Sequence, residues 1–421
     1  MTTKTLVDHL AAFRAALPEK ARIYVAGCSG EPLAIRDAFM SRPDLAEGIE
    51  FFGIWIPGVN ATDWATLSSS ATAQSIFISP ALRPSFEAGR THLLPLSYSQ
   101  SANWLSQTKI DGAIVMISPP NEAGQVSLGV SADFSPLILE RKDIPIFGVI
   151  NSAMKAPRHG PTETIDRFSV VAECDHPLVQ VGERQLPATF EQIGQHIAAQ
   201  CAPGDTLQFG LGNVQQAALK ALRGHSDLKI HAGMVSTPLI ELLDAGAIAD
   251  QAGAITTGVA IGTDALYQRV VLEDRIRFAP VSETHAIATL ARLPRFKAIN
   301  SCIEVDLFGQ ANAEFIAGRQ ISGTGGLVDF LRGAQISAGG RGILALAATA
   351  RKGSISRIIP RLPADATSIA RADVDTVITE FGVADLRYKS IDARAEALIG
   401  IAAPDFRDEL AEHWRQIRKG L

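Results

Sequence analysis

One short segment, D-L-K-I-H-A-G-M-V-S at 227–236, carries a histidine that could do acid–base chemistry. An apolar run ends in His231, and Gly233 follows two positions later. An imidazole has an unperturbed pKa of about 6.5, so it can take a proton from water near neutral pH. In an extended strand the two residues share one face. The alternative is a buried structural histidine, which is the commoner role at a strand end.

Two glycine-rich loops could hold a ligand through backbone N–H groups. They are Gly210-Leu211-Gly212 and Gly323-Thr324-Gly325-Gly326. Read alone, the first is compatible with a tight turn after a strand, and the second with a phosphate-binding nest. The second loop lacks the G-K-[ST] of a P-loop and the spacing of a dinucleotide fingerprint, so neither nucleotide motif is indicated.

Composition excludes several classes of function. The chain has 421 residues, 47% of them hydrophobic, and a formal net charge of −5. It therefore shows no basic footprint for nucleic acid and no polybasic attraction to a membrane surface. No apolar window is long enough for a membrane span, and the charged, amphipathic start is unlike a signal peptide. The four cysteines are scattered, so no metal site is expected, and we predict a cytoplasmic protein.

The elements that position these residues follow one pattern along the chain. Apolar runs that end in Gly/Pro turns alternate with helical patterns, which predicts parallel sheets covered on both faces. Periodicity weakens near 178–192, where charges and a proline appear. We therefore predict an α/β fold of two open domains with mainly parallel sheets, at residues 1–185 and 186–421. Ligands are expected in the loops beyond the carboxyl ends of the strands.

Six segments resemble one family, in order and with few gaps. They are I-S-P-P-N-E-A-G-Q-V-S-L-G at 117–129, L-Q-F-G-L-G at 207–212, A-I-N-S-C-I-E-V-D-L-F-G-Q-A-N-A-E at 298–314, I-S-G-T-G-G-L-V-D-F-L-R-G-A at 321–334, V-I-T-E-F-G-V-A-D-L-R at 377–387 and A-E-A-L-I-G-I-A-A-P-D-F-R at 395–407. The chain is identified on these segments as a member of the acetyl-CoA hydrolase/transferase family. It is similar to the 4-hydroxybutyrate CoA-transferases within the family I CoA-transferases.

The resemblance implies a CoA-transferase-like pair of domains that binds an acyl-CoA. In the transferases a glutamate attacks the thioester carbonyl and forms an anhydride, the CoA thiolate returns to give a glutamyl-CoA, and a second carboxylate attacks that. The family's mobile loop corresponds to Gly210–Gly212, whose N–H groups can stabilise an oxyanion. The loop Gly323–Gly326 is then expected against the pantetheine arm or the acyl group. CoA enters as part of the substrate, and no separate cofactor is expected.

The chain departs from the family at the nucleophile. The relatives' motif reads roughly His-Thr-Glu-Met, where this chain has His231-Ala232-Gly233-Met234. Gly233 therefore falls on the catalytic glutamate, and we expect the vacated volume to hold water or a bulkier acyl chain. His231 is the candidate base beside it, and Glu31, Glu122 and His159 are candidates from loops of the first domain.

Three functions are compatible with this departure. We favour hydrolysis of an acyl-CoA, at the thioester or at a C–C bond of a β-keto acyl-CoA, without a glutamyl intermediate. The second is transfer of CoA to a small carboxylate with Glu31 or Glu122 as the nucleophile. The third is a non-catalytic CoA-ester-binding protein, against which the retained glycine loops argue. A homo-oligomer is expected for an enzyme of this type.

Overall fold

A computed structural model describes residues 4–183, 185–364 and 366–421 of the chain. Within these ranges, no helix is both long enough and apolar enough to cross a membrane. Nor does any group of three or more His, Cys, Asp or Glu side chains in the same ranges lie close enough together to hold a metal ion.

The chain divides into two compact units. One comprises Met1–Gly182 and Thr256–Thr284, and the other comprises Glu183–Ile255 and His285–Leu421. The segment Thr256–Thr284 therefore packs with the first unit, although the sequence places it inside the second predicted domain. The division of the polypeptide into two domains at residue 185 stays a prediction.

Up to Gly182 the chain alternates short helices with strands. The helices are α1 (Leu6–Ala15), α2 (Leu33–Ser41), α3 (Arg83–Glu87), α4 (Tyr98–Gln107) and α5 (Ser135–Leu139). The strands are β1 (Arg22–Val25), β2 (Glu50–Gly53), β3 (Thr72–Ser75), β4 (Thr91–Leu93), β5 (Gly112–Ile117), β6 (Gln125–Ser127), β7 (Ile146–Asn151), β8 (Thr162–Thr164) and β9 (Val170–Cys174).

The main sheet of the first unit is parallel throughout. Its strands lie in the order β4-β3-β2-β1-β5-β7-β9. Every residue of β5 and of β7 is buried, which explains why these strands read as continuous apolar runs. Aromatic side chains dominate the core beside β1, where Trp55 stacks on Trp64 at a centroid distance of 6.2 Å.

The remainder of the chain repeats this alternation. Its helices are α6 (Ala188–Ala198), α7 (Asn213–Ala221), α8 (Leu239–Asp244), α9 (Asp264–Leu272), α10 (Val281–Thr284), α11 (Ile287–Leu290), α12 (Leu327–Ile336), α13 (Ile391–Gly400) and α14 (Pro404–Lys419). Its strands are β10 (Thr206–Phe209), β11 (Lys229–Ser236), β12 (Ile255–Ile261), β13 (Ile276–Phe278), β14 (Phe296–Ser301), β15 (Glu304–Asp306), β16 (Ala311–Asn312), β17 (Phe315–Ile316), β18 (Arg319–Gln320), β19 (Arg341–Ala345), β20 (Thr349–Ala350), β21 (Ile355–Ser356), β22 (Ile358–Ile359), β23 (Thr376–Thr379) and β24 (Gly382–Asp385).

The second unit is built on parallel strands as well. They lie in the order β11-β10-β14-β19-β23, and β24 pairs antiparallel with β23 at the edge. Helix α12 packs on β14 and β19 through Phe330 and Leu331, which are buried with Phe296 and Leu344. The predicted fold class, two α/β units with mainly parallel sheets, is confirmed.

A buried acid lies beyond the carboxyl end of β1 in the first unit. The Cys28 Sγ is 3.8 Å from the Asp133 Oδ2, and both residues have a positive φ, of 55° and 37°. The Asp133 Oδ1 is buried and has no hydrogen-bond partner among the described residues. Burial raises the pKa of Asp133 to about 8. A carboxyl group in this setting keeps its proton at neutral pH.

This acid makes a prediction for stability against pH. The unfolded chain releases the Asp133 proton near pH 3.8, whereas the folded chain holds it to about pH 8. Raising the pH between these values therefore favours the unfolded state, by at most about 1.4 kcal/mol per pH unit for one group. We expect Asp133→Asn to gain stability relative to the wild type as the pH rises from 5 to 8, measured by urea unfolding.

The control for this prediction is Asp143→Asn. Asp143 is exposed and paired with Arg141, which holds its pKa below the usual range. Its substitution should change stability by a constant amount between pH 5 and 8. A difference between Asp133→Asn and wild type that does not vary with pH would contradict the assignment of a neutral, buried acid.

Candidate functional site

Strand β11 carries His231 and Gly233, the candidate base and the glycine at the family's glutamate motif. It runs from Lys229 to Ser236 and pairs with β10 in parallel, so it continues through the whole H-A-G-M-V-S segment. His231 and Gly233 therefore share one face of an extended strand. The His231 side chain is 4% exposed, and its ring meets Phe296 edge-on at a centroid distance of 6.5 Å.

The space beside Gly233 is occupied by another imidazole. A Cβ atom built on Gly233 would lie 2.6 Å from the His285 Cε1 and 2.8 Å from its Nε2. Real Cβ atoms essentially never approach so closely, so no side chain fits at position 233 while His285 stays in place. The expectation of a volume open to water or acyl chain at this atom was therefore wrong. The φ of Gly233 lies outside the left-handed region, so the constraint is steric contact and not the backbone.

The same imidazole also excludes a side chain at Gly326. A Cβ atom there would lie 2.5 Å from the His285 Nε2 and 2.6 Å from its Cδ2. The ring of His285 is 2% exposed and packs on Phe330 at a centroid distance of 4.5 Å. We call this arrangement, the His285 ring between Gly233 and Gly326, the glycine slot.

The electrostatic setting keeps the imidazole of His285 uncharged. Burial, with a smaller contribution from the nearby His231, lowers the pKa of His285 to about 3. Gly326 is the N-cap of α12, whose dipole places partial positive charge beside the ring and also disfavours an imidazolium. His285 is therefore neutral at any pH near 7. Sequence reasoning missed it, because nothing local in S-E-T-H-A-I connects this histidine to β11.

The loop Gly210–Gly212 joins β10 to α7. Gly212 is the N-cap of α7 with φ 121° and ψ −178°, a conformation essentially restricted to glycine. The amide of Gln215 lies against this loop, with its Oε1 3.2 Å from a Cβ position at Gly212. That oxygen is buried and has no hydrogen-bond partner among the described residues. Gln215 packs against the loop, and no motif in the sequence pointed to it.

A small apolar recess with a cavity volume of about 10 Å³ lies beside Gly210. Its lining includes Ile230 and Met234 of β11 and two leucines, Leu219 and Leu239, of the flanking helices. Ile230 and Met234 alternate with His231 along β11, so they point to the opposite face of the strand. One face of β11 thus carries His231 and lies against the His285 ring, and the other face borders the apolar recess.

The second glycine loop leads into α12. Gly325 has a positive φ of 53°, and the Leu327 N–H donates to the carbonyl of Thr324. Gly326 at its end is the residue that contacts His285, so Gly323–Gly326 and position 233 meet at one ring. The structure therefore brings together three of the predicted features in the second unit: His231, Gly233 and this loop.

The candidates of the first unit have separate surroundings. Glu31 is buried, accepts hydrogen bonds from Asn60 at 2.9 Å and Trp64 at 3.3 Å, and has a pKa that burial raises. Glu122 lies exposed in a turn. His159 is about half exposed, with its Nε2 3.6 Å from a carboxylate oxygen of Asp274. No contact of the described residues joins any two of these three, and their roles stay predictions.

Comparison with known proteins finds relatives that match most of the chain. The profiles described as acetyl-CoA hydrolase/transferase N-terminal and C-terminal domains match residues 14–173 and 262–414. The 4-hydroxybutyrate coenzyme A transferase of Clostridium kluyveri is 31% identical over 409 residues, which covers 94% of each chain.

Solved structures agree with that relationship. The 4-hydroxybutyrate CoA-transferase from Porphyromonas gingivalis is 30% identical, with a TM-score of 0.79 over 97% of this chain and 96% of that one. RipA from Yersinia pestis is 26% identical, with a TM-score of 0.88 over 97% of both chains. The chain is therefore an enzyme of the acetyl-CoA hydrolase/transferase family.

Proposed function

We propose that this enzyme hydrolyses an acyl-CoA without a covalent glutamyl intermediate, at the thioester or at a C–C bond of a β-keto acyl-CoA. One observation carries the proposal. At position 233, where the motif places the family's glutamate, the chain has a glycine, and the ring of His285 fills the space that a side chain would need. A carboxylate cannot act from a position that admits no Cβ atom.

The remaining chemistry can be assigned to groups of the second unit. His231 takes a proton from water, and the water oxygen bonds to the thioester carbonyl carbon. The C–S bond then breaks, and the CoA thiolate recovers the proton from His231. Backbone N–H groups of Gly210–Gly212 or of Gly323–Gly326 donate hydrogen bonds to the carbonyl oxygen and stabilise the negative charge that develops on it. The products are a free acid and CoA, so no second carboxylate is needed.

Transfer of CoA to a small carboxylate is the first alternative. The relatives named above as 4-hydroxybutyrate CoA-transferases favour it. It requires Glu31 or Glu122 to replace the nucleophile. Both oxygens of the Glu31 carboxylate already accept hydrogen bonds from the Asn60 amide and the Trp64 indole, which is typical of a structural acid. Hydrolysis is therefore the simpler use of this site.

A non-catalytic CoA-ester-binding protein is the second alternative. The retained glycine loops speak against it, because Gly212 has a conformation that only glycine adopts readily. We further propose that acyl-CoA is the partner molecule, with no cofactor besides the CoA of the substrate. A cytoplasmic location and a homo-oligomeric state remain predictions.

The reaction type is tested by release of free thiol. The enzyme is incubated with a series of acyl-CoAs, with and without acetate, and CoA thiol and acetyl-CoA are measured. We expect thiol release that does not depend on acetate, because water is the acceptor. Acetyl-CoA formation without free thiol would establish transfer, and binding without turnover of any acyl-CoA would establish the non-catalytic alternative.

The role of His231 is tested by substitution. His231→Ala should lower kcat for hydrolysis by roughly 10²–10⁴, the usual loss of a general base, while the affinity for CoA changes little. The wild-type rate should rise with pH as the base loses its proton, and the variant should lack that limb.

His225→Ala is the matched control for this substitution. His225 is a partly exposed histidine after α7 whose Nε2 lies 3.2 Å from the Ala198 carbonyl oxygen. It should keep both the rate and the pH profile of the wild type. Unchanged turnover in His231→Ala would show that His231 is structural, and the base would then be sought among Glu31, Glu122 and His159.

A further inference from the structure

We infer that His285 is a positioning residue that has taken the place of the family's nucleophile, so that residues 233 and 285 together decide whether this site can form an acyl-enzyme. The inference rests on the proposed function in one respect, the placement of Gly233 on the glutamate position. The claim that His285 excludes side chains at positions 233 and 326 depends only on contacts within the second unit.

The packing makes the three residues of the glycine slot interdependent. A Cβ atom on Gly233 or on Gly326 would each collide with the His285 ring, at 2.6 Å and 2.5 Å. The ring cannot move freely, because Phe330 packs on it at 4.5 Å between ring centroids. The imidazole therefore requires glycine at both positions, and a side chain at either position requires its removal.

An aromatic cluster connects His285 to the candidate base. Phe330 lies 6.4 Å from Phe296 between ring centroids, and Phe296 meets the His231 ring at 6.5 Å. Ring contacts through the two phenyl groups thus link the two imidazoles, in a core in which all four side chains are buried. Side chains packed in this way hold one another's rotamers, so a change at His285 should alter the orientation of His231.

The chemistry of the slot also disfavours a carboxylate. A glutamate at position 233 would be buried against an imidazole that carries no compensating charge, since burial holds the pKa of His285 at about 3. An unpaired buried carboxylate is costly. Removing the imidazole leaves room for the glutamate side chain and for water that can solvate its carboxylate. An acyl-enzyme mechanism requires such an ionised carboxylate.

The first experiment tests packing and is independent of catalysis. Gly233→Ala should lower the thermal unfolding midpoint by several degrees in the wild-type background, because the added methyl group overpacks the ring. In the His285→Ala background the same substitution should be neutral or stabilising, since the methyl group then enters a cavity. Equal effects in the two backgrounds would overturn the proposed coupling.

Gly400→Ala provides the matched control. Gly400 ends α13 in the same unit, and a Cβ atom there would meet no heavy atom within 4 Å. Its effect on the midpoint should be the same in both backgrounds. If the change in midpoint caused by Gly400→Ala differed between the two backgrounds, the coupling measured at Gly233 would not be specific to the contact with His285. That result would contradict the proposed packing of the glycine slot.

The second experiment tests positioning. His285→Ala should lower kcat by roughly 10–100-fold with little change in KM, as expected when a catalytic group is misplaced. His285→Asn, which keeps a planar polar group, should recover a large part of kcat and keep the rising pH limb that we assign to His231. Loss of that limb in His285→Asn with its retention in His231→Ala would reverse the two roles and overturn the inference.

The third experiment tests the acyl-enzyme. After incubation with acyl-CoA and borohydride reduction, mass spectrometry should find no modification of residues 229–241 in the wild type or in G233E. In G233E/H285A the introduced carboxylate can attack the thioester carbonyl and expel CoA thiolate. The thiolate then attacks the glutamyl carbonyl and expels the free acid, which leaves a reducible thioester on position 233.

Two outcomes separate failure of this inference from failure of the proposed function. An adduct on G233E as abundant as on the double variant would overturn the inference, because His285 would then exclude nothing. Absence of an adduct in a folded, CoA-binding double variant would overturn it as well. An adduct on another carboxylate of the wild type would instead contradict the proposed function, while the packing cycle at Gly233 would still decide the coupling.

Discussion

The site depends on one neutral imidazole that occupies the Cβ positions of two glycines. The ring of His285 lies against Gly233 in the middle of β11 and against Gly326 at the start of α12. Because interiors are packed to the density of a crystal, this contact excludes a side chain at Gly233. The function proposed above follows from this exclusion, because a site without a side chain at position 233 has no carboxylate there to be acylated.

The loops around Gly233 have the geometry that the proposed function requires. The parallel strands β10 and β11 bring their carboxyl ends to one region, where Gly212 and the buried amide of Gln215 shape a backbone loop. Such preformed donors are worth most where charge develops on an oxygen. In the function proposed above, the enzyme keeps these donors for the oxyanion while water replaces the carboxylate.

The fold could be predicted from the sequence, because β5 and β7 are buried on both faces and so read as unbroken apolar runs. The placement of Gly233 on the family's glutamate rests on an ungapped motif and stays a prediction. His285 could not be found in this way. Its role depends on a contact between residues far apart in the chain. A glycine in a sequence does not show which side chain packs against it in the fold. The same holds for Asp133, whose raised pKa comes from burial and not from a neighbour in sequence.

The central claim, that no carboxylate of the enzyme becomes acylated, is tested most directly by turnover in oxygen-18-labelled water. With water attacking the substrate, the label enters only the released acid, and every Asp and Glu of the enzyme remains unlabelled after many turnovers. We predict that peptide mass spectrometry finds this result. If the reaction proceeded through an acyl-carboxylate anhydride, attack of water on the enzyme's own carbonyl would leave label in one acidic residue. Such a labelled peptide would contradict the account and identify the nucleophile.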